Sequence, residues 1–480
     1  MSDRGAAAGQ DPARVRVEVA ALVARARAAQ REIDGCDQAR ADDLAIAAAW
    51  AIVEPSRNRA LAELAVRDTG MGDVADKFAK NRRKTMGLLR DLAGIRTAGI
   101  VAEDRERGLI EIARPVGVVA AITPSTNPGA TPANNIVNAL KARNAIVLAP
   151  SPKGASTLAL LIDYVHAELD RIGAPRDLVQ MLPMPVSREH TRELMRQADL
   201  VVATGSRNNV RAAYASGTPA LGVGAGNVAV IVDESADVAD AAAKIARSKT
   251  FDNATSCSSE NSVIAVEAVA DALVAQFAKH GGVRLTPDES ALLERAMFPD
   301  GKLAPAFVAQ SAPAIAALAG LEREACRTAR FLVVDVDAVG PQTPYSGEKL
   351  SPVLAFYRAS DFEAGAARAA QLLAYEGAGH SVGLHTRLPE RATRLGLTLP
   401  VCRVIVNQAH CFATGGAYDN ALPFSLSMGC GTWGGNSFSD NLNVRHFMNV
   451  TRVVQPLAPE RVREPGEDEL FGEYRRRYGL

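Results

Sequence analysis

The sequence predicts an α/β protein, with an open doubly wound sheet leading into a second α/β domain, on three observations. Between about residues 108 and 233, β-branched runs alternate with helical segments. Several of those runs, such as Asn144-Ala-Ile-Val-Leu-Ala, are apolar without alternation, as in strands buried on both faces of a parallel sheet. The chain has 480 residues and 48% hydrophobic content, enough to bury a large core and divide into two or three domains.

The elements follow in order. From Asp11 to about Arg96 apolar residues recur at three- and four-residue spacing, as in Val15, Val19, Leu22 and Val23, which predicts several amphipathic helices. Next, Gly108-Leu-Ile-Glu-Ile-Ala-Arg-Pro-Val-Gly-Val-Val-Ala-Ala-Ile-Thr reads as strands punctuated by Pro and Gly, the second buried on both faces. After the run at Asn144, a helix is expected near Ser156 to Leu169, then strands at Leu200-Val-Val-Ala-Thr and Asn227-Val-Ala-Val-Ile-Val-Asp. A second set of helical and strand patterns, from Val238 to about Leu426, includes Arg330-Phe-Leu-Val-Val-Asp-Val and Arg403-Val-Ile-Val-Asn. The charged stretch from Glu460 to Leu480 reads as a surface tail, and no internal repeat is evident.

Lys plus Arg and Asp plus Glu both total 54, so the charge carries no footprint of nucleic-acid or membrane-surface binding. No apolar run approaches the roughly 20 residues that span a bilayer. The six cysteines are scattered without a C-x-x-C pair, which suggests neither a metal site nor a disulfide framework. With an N-terminus that lacks a secretory pattern, a cytoplasmic protein acting on small molecules is expected.

The segment Thr250-Phe-Asp-Asn-Ala-Thr-Ser-Cys-Ser-Ser-Glu-Asn-Ser-Val sets Cys257 among small polar residues before a strand-like run. A thiol attacks as thiolate, and nearby hydroxyls, amides and helix N-termini can favour that form. Cys257 is therefore the candidate nucleophile, although an isolated cysteine is more often a structural one.

Here the chain resembles the aldehyde dehydrogenase superfamily, and within it the acylating, CoA-dependent branch, from about Thr69 to Asn449. The ordered motifs are Thr69-Gly-Met-Gly, Pro115-Val-Gly-Val-Val, Thr126-Asn-Pro, Ala203-Thr-Gly-Ser, Gly222-Val-Gly-Ala-Gly-Asn, Phe251-Asp-Asn before Cys257, Gly377-Ala-Gly-His-Ser and Gly429-Cys-Gly-Thr-Trp-Gly-Gly-Asn. The resemblance implies a Rossmann-like cofactor domain with entry helices over 1–235, a catalytic cysteine domain over 236–428, and a return segment over 429–480. A hairpin arm for a homodimer or homotetramer is expected near 101–112.

It also implies a reaction in two halves. Cys257 attacks the aldehyde, the thiohemiacetal gives its hydride to NAD or NADP, and the thiol of CoA takes the acyl group from the thioester. Asn127 is the expected oxyanion donor, with the backbone N–H of Cys257; a turn-forming role before Pro128 is the alternative. Hydrolytic members carry a glutamate about 35 residues before the cysteine, where this chain has Gly222. Without that base, attack by water on the thioester should be slow. Gly222, Gly224 and Gly226 also suggest room for the pantetheine arm of CoA, or else close strand packing.

For the cofactor, Thr204, Gly205 and Ser206 open a helix whose N–H groups suit a diphosphate. Pro150 and Ser151 align with the stretch beside adenine and ribose, and Val223 and Gly224 with the cofactor crevice. Glu348 matches the glutamate that holds the nicotinamide ribose, with an exposed loop carboxylate as the plainer reading. Val210 replaces a customary glycine and predicts a looser dinucleotide mode, and Ala149 leaves NAD against NADP open. His380 is a candidate base for the CoA thiol or a hydrogen-bonded structural histidine, and Trp433 is expected to pack the catalytic loop.

Within the branch, Ser256-Cys-Ser-Ser-Glu-Asn and Gly-Cys-Gly-Thr-Trp are most similar to members acting on sulfoacetaldehyde. Sulfoacetaldehyde is thus the leading substrate and acetaldehyde the runner-up. Arg403 and the loop Gln408-Ala-His-Cys-Phe-Ala-Thr-Gly-Gly are candidate sulfonate partners. The competing readings are a hydrolytic dehydrogenase with another base, a reductase of acyl phosphates, and a silent dehydrogenase-like binding protein.

Overall fold

The computed structural model describes residues 11–479. Four helices open it: α1 (Pro12–Ile33), α2 (Gln38–Val53), α3 (Pro55–Thr69) and α4 (Val74–Leu92). Asp11, Asp37, Glu54 and Asp73 cap their N-termini through side-chain oxygens. The apolar stripe of α1 is buried at Val15, Val19, Leu22 and Val23, as its spacing predicts.

An antiparallel hairpin follows, β1 (Gly99–Asp104) and β2 (Leu109–Pro115). The chain then alternates β3 (Val118–Thr123), α5 (Ala130–Lys141), β4 (Ala145–Pro150), α6 (Ala155–Arg171), β5 (Val179–Met181), α7 (Arg188–Gln197), β6 (Leu200–Thr204), α8 (Arg207–Tyr214) and β7 (Ala220–Val223). These five strands form one parallel sheet in the order β5-β4-β3-β6-β7. Every residue of β3 and β4 is buried, because helices cover both faces.

The next strand corrects one expectation. β8 (Val228–Val232) reads in sequence as part of the first sheet, with a boundary at 235, yet it pairs with strands of the second. Only Gly224 to Asn227 separate it from β7. Parallel neighbours need a crossover of a dozen or more residues, so this short connector must carry the chain out of the first sheet.

From there run α9 (Val238–Thr250), β9 (Glu260–Val266), β10 (Gly282–Arg284), β11 (Phe331–Asp335), β12 (Val353–Ala359), β13 (Val382–His385) and β14 (Val404–Val406). With β8 they make a seven-stranded parallel sheet, ordered β10-β11-β12-β9-β8-β13-β14. Finally β15 (Met448–Val454) returns to pair antiparallel with β2, giving a three-stranded sheet, β1-β2-β15. The charged end lies on the surface, as its composition predicts, and Glu467–Tyr478 forms an exposed helix there. Its acidic first turn and arginine-rich last turn complement the helix dipole.

Candidate active site around Cys257

A cleft of about 480 Å³ opens where the carboxyl ends of β3, β6 and β7 face the segment carrying Cys257. Cys257, Asn127, Ser151, Thr204, Gly205, Ser206, Val223, Gly224 and Glu348 all line it. The structure thus gathers nine of the expected residues at one place. Pro150 does not line it, being buried at the end of β4.

The nucleophile sits on an unusual turn. After α9 ends, Asp252, Asn253 and Ala254 take left-handed φ values of 51°, 50° and 58° in succession. Such geometry costs about 1–2 kcal/mol per residue for L-amino acids, least for Asp and Asn. The buried Asp252 carboxylate anchors the turn. It accepts from the ammonium groups of Lys77 (3.1 Å) and Lys80, from Thr255 Oγ1 (2.7 Å) and from the Asp73 N–H (2.8 Å). Burial works to raise the Asp252 pKa, but the two lysines hold it below the ordinary carboxylate value.

Cys257 as a residue is half-buried, with its thiol enclosed. Burial pushes the thiol up to about 12, reinforced by Glu348 and Cys430, so the resting sulfur is protonated. Asn127 is well set as a donor. Its Oδ1 accepts from Lys80 Nζ at 2.8 Å, which orients the amide, and Nδ2 has only a long 3.5 Å contact with Thr126 Oγ1. Its backbone carbonyl also accepts from Thr131 N–H, so the local turn and the free amide coexist.

Gly222 and Gly226, before Cys257, serve close packing. A Cβ at Gly222 would lie 2.6 Å from Val210 Cγ1 and 2.7 Å from Tyr214, and one at Gly226 only 2.1 Å from the Cys257 carbonyl oxygen. At Gly224 the nearest atom is Cys430 Sγ, at 3.2 Å. At Gly222 and Gly226 the close-packing alternative therefore applies, while Gly224 lines the cleft. The same contacts explain the missing base, since Val210 and Tyr214 fill the space a glutamate at 222 would need.

Glu348 is no exposed loop carboxylate. Its Oε1 is buried without a hydrogen-bond partner, and burial with the neighbouring Glu376 raises its pKa to about 8. Glu376 accepts from the Glu348 N–H at 2.7 Å and pairs with Arg207 at the start of α8. An orphaned carboxylate oxygen on the cleft wall fits a ribose hydroxyl. The N-terminus of α8, capped by Ser206, opens into the same cleft and fits a diphosphate. The residues present therefore suit a dinucleotide.

Two expectations move. His380 is fully buried and is not among the cleft-lining residues. Its Nδ1 pairs with Ser381 Oγ at 2.7 Å, Nε2 has no partner, and burial with Arg403 and His410 pushes its pKa down to about 3. Arg403 is also buried, and its guanidinium is used on Asn441 Oδ1 and the carbonyls of His380, Gly429 and Ser439. It holds loops together instead of facing substrate. Trp433 is 55% exposed, and its ring reaches its own loop, 3.9 Å from where a Cβ at Gly431 would lie.

Sequence reasoning missed the polar face of α4. Lys77, Lys80 and Lys84 are all buried, on the face that also buries Leu88. Their three- and four-residue spacing relative to Leu88 was the available signal, masked because a Lys/Arg-rich helix reads as solvated. Lys249 was missed too. It is fully buried behind Cys257, in a small void shared with Asn261 and Glu348, and burial lowers its pKa to about 7.

Comparison with known proteins agrees with this geometry. Residues 5–284 match the aldehyde dehydrogenase family model. The chain is 63% identical over 469 residues to a sulfoacetaldehyde dehydrogenase (acylating) of Cupriavidus necator, covering 98% of this chain and 94% of that one. It superposes on an acetylating aldehyde dehydrogenase of Geobacillus thermoglucosidasius with a TM-score of 0.90 and 36% identity, covering 95% of this chain and 100% of the other. A Rhodopseudomonas palustris propionaldehyde dehydrogenase, solved with bound CoA and an acylated cysteine, gives a TM-score of 0.82 at 25% identity over 91% of this chain and 97% of its own. With its motifs, its cysteine cleft and these likenesses in accord, the chain belongs to the aldehyde dehydrogenase family.

Proposed function

We propose that this protein converts an aldehyde, CoA and NAD(P) reversibly to an acyl-CoA and NAD(P)H, with sulfoacetaldehyde as the leading substrate and acetaldehyde as the runner-up. The observation that carries the acylating reading is Gly222, where the water-activating glutamate of hydrolytic members is absent and Val210 and Tyr214 leave no room for a Cβ. The names of the Cupriavidus and Geobacillus relatives support it.

Cys257 Sγ attacks the aldehyde carbon as its proton is lost to solvent in the open cleft, forming the C–S bond and placing the negative charge on the aldehyde oxygen. The resulting oxyanion is met by Asn127 Nδ2 and the Cys257 N–H, donors of a kind worth about 3–4 kcal/mol in the transition state. Thr204, Gly205 and Ser206 at the α8 terminus would hold the diphosphate of NAD or NADP, Ser151, Val223 and Gly224 would border the nucleotide, and Glu348 would hold a ribose hydroxyl. The cofactor, when bound, would supply the hydride acceptor. The Cys257 thioester is then released to the thiol of CoA. His380, withdrawn from the cleft, is assigned a structural role instead of the expected acid–base one.

No helix among the described residues is long and apolar enough to cross a membrane. A cytoplasmic homodimer or homotetramer is proposed, joined through the β1-β2-β15 sheet, whose β15 exposes Val450, Val453 and Val454. Reduced-cofactor formation with and without CoA tests the reaction. Sustained turnover only with CoA, lost in Cys257→Ala, is expected; equal turnover without CoA overturns the acylating reading.

A further inference from the structure

The aldehyde end of the cleft holds positive charge that the protein does not neutralise. α4 carries Lys77, Lys80, Arg83 and Lys84 toward the cysteine segment, and the last three line the cleft. The first two share the Asp252 carboxylate. Arg83 and Lys84 have no carboxylate partner among the described residues. Lys84 Nζ donates to the carbonyls of Gly415 (2.6 Å) and Ser425 (3.1 Å), leaving one of its three N–H bonds uncommitted. Arg83 donates through Nη2 to the carbonyl of Phe412 (2.8 Å) and lies over the Phe412 and Phe424 rings, with Nε and Nη1 uncommitted. Asp419 acts on it only through space.

Buried cations without counter-ions are costly, and proteins keep them where a ligand supplies the missing charge. The spacing is also informative. Lys80 orients Asn127, the donor to the reacting oxygen. Lys84 lies four residues further along the same helix face, about 6 Å along the axis. In an aldehyde bearing an anionic group on its α-carbon, that group is three bonds from the carbonyl oxygen and its own oxygens extend further, so both ends of the molecule can meet the same face of α4. Phe251 and Phe412, in contact at 4.6 Å between ring centroids, also line this cleft.

We propose that Arg83 and Lys84 form the anion-binding end of the aldehyde site and select substrates carrying a sulfonate on the α-carbon. Their partial use on backbone carbonyls fixes both cations in place, so binding needs little reordering. The inference rests on the proposed acylating function, and the following measurements separate the two.

Arg83→Gln and Lys84→Gln, which keep an N–H donor but lose the charge, are assayed with sulfoacetaldehyde and acetaldehyde in the presence of CoA. The expected result is a fall of about a hundredfold in the ratio of kcat/KM for sulfoacetaldehyde to that for acetaldehyde. Lys84→Arg, which restores charge, is expected to recover most of it. A ratio unchanged within threefold overturns the assignment even if CoA-dependent turnover of both aldehydes is intact. In parallel, thermal melting is followed with sulfoacetate, which needs no turnover. Stabilisation of the wild type and of Lys84→Arg, but not of the glutamine variants, supports the anion site, even should CoA dependence fail; equal stabilisation of all four, or of none, overturns it.

Discussion

Replacing Asp252 by Asn keeps a side chain that tolerates the left-handed geometry, but it removes the charge and turns one accepting oxygen into an N–H donor among the donors of Lys77, Lys80, Thr255 and the Asp73 N–H. It leaves Lys77 and Lys80 buried without their shared counter-ion. Breaking such a buried pair typically costs about 3–5 kcal/mol, and the left-handed turn at 252–254, whose penalty of roughly 1–2 kcal/mol falls mainly on Ala254, is held in place by that anchor. Lys80 also positions Asn127, so a loosened lysine misplaces an oxyanion donor of a kind worth about a hundred- to a thousandfold in kcat. Asp252→Asn should therefore lower kcat by about a hundredfold and move the denaturation midpoint clearly downward.

The pH dependence has a definite sign. Asp252 has a depressed folded-state pKa, so its stabilisation is present above the unfolded carboxylate value and is lost as pH falls through the folded one. The gap in stability between wild type and Asp252→Asn should close in acid. The assay is CoA-dependent formation of reduced cofactor, with urea denaturation followed at several pH values. A variant with turnover within threefold of wild type and an unshifted midpoint would refute the idea that the Asp252 anchor sets the nucleophile turn.

Other outcomes follow from the same geometry. Because the Cys257 thiol is pushed up to about 12, iodoacetamide should inactivate the free enzyme slowly at pH 7, about tenfold faster per pH unit up to roughly pH 10; a plateau below pH 8 would show a thiolate already formed. Gly226→Ala sets a methyl 2.1 Å from the Cys257 carbonyl oxygen and should lower kcat about a hundredfold by displacing the nucleophile, with turnover at wild-type levels counting against that packing. Burial, then Arg83, brings Lys84 down to about 7, so its ammonium is lost as pH rises. KM for sulfoacetaldehyde should climb above pH 7 while that for acetaldehyde stays level, as steady-state kinetics at pH 6 to 9 can show.

Much of the fold was legible because burial imposes periodicity. The stripe of α1 and the unbroken apolar runs of β3 and β4 are direct readouts of what each face meets. β8 was read into the wrong sheet because its residues suit either one, and only the length of the connector before it decides. At the site, Cys257, Asn127 and Glu348 were found through ordered motifs. Arg83 and Lys84 were not, since a lysine or arginine looks the same in sequence whether it faces water or a cleft. His380 shows the converse: the motif around it is visible, but its withdrawal from the cleft depends on how β13 and the 429–436 segment pack around it.

The connector from Gly224 to Asn227 has a mechanical consequence. It is the short passage from the cofactor sheet to the catalytic sheet, yet it touches catalytic elements on two sides. Gly226 abuts the Cys257 main chain, while the Gly224 N–H donates to Asn436 Oδ1 at 3.1 Å beside Cys430. The link between the two sheets and the backing of the reactive cysteine are thus the same four residues, so a substitution that lengthens or shifts the link would shift the cysteine main chain with it.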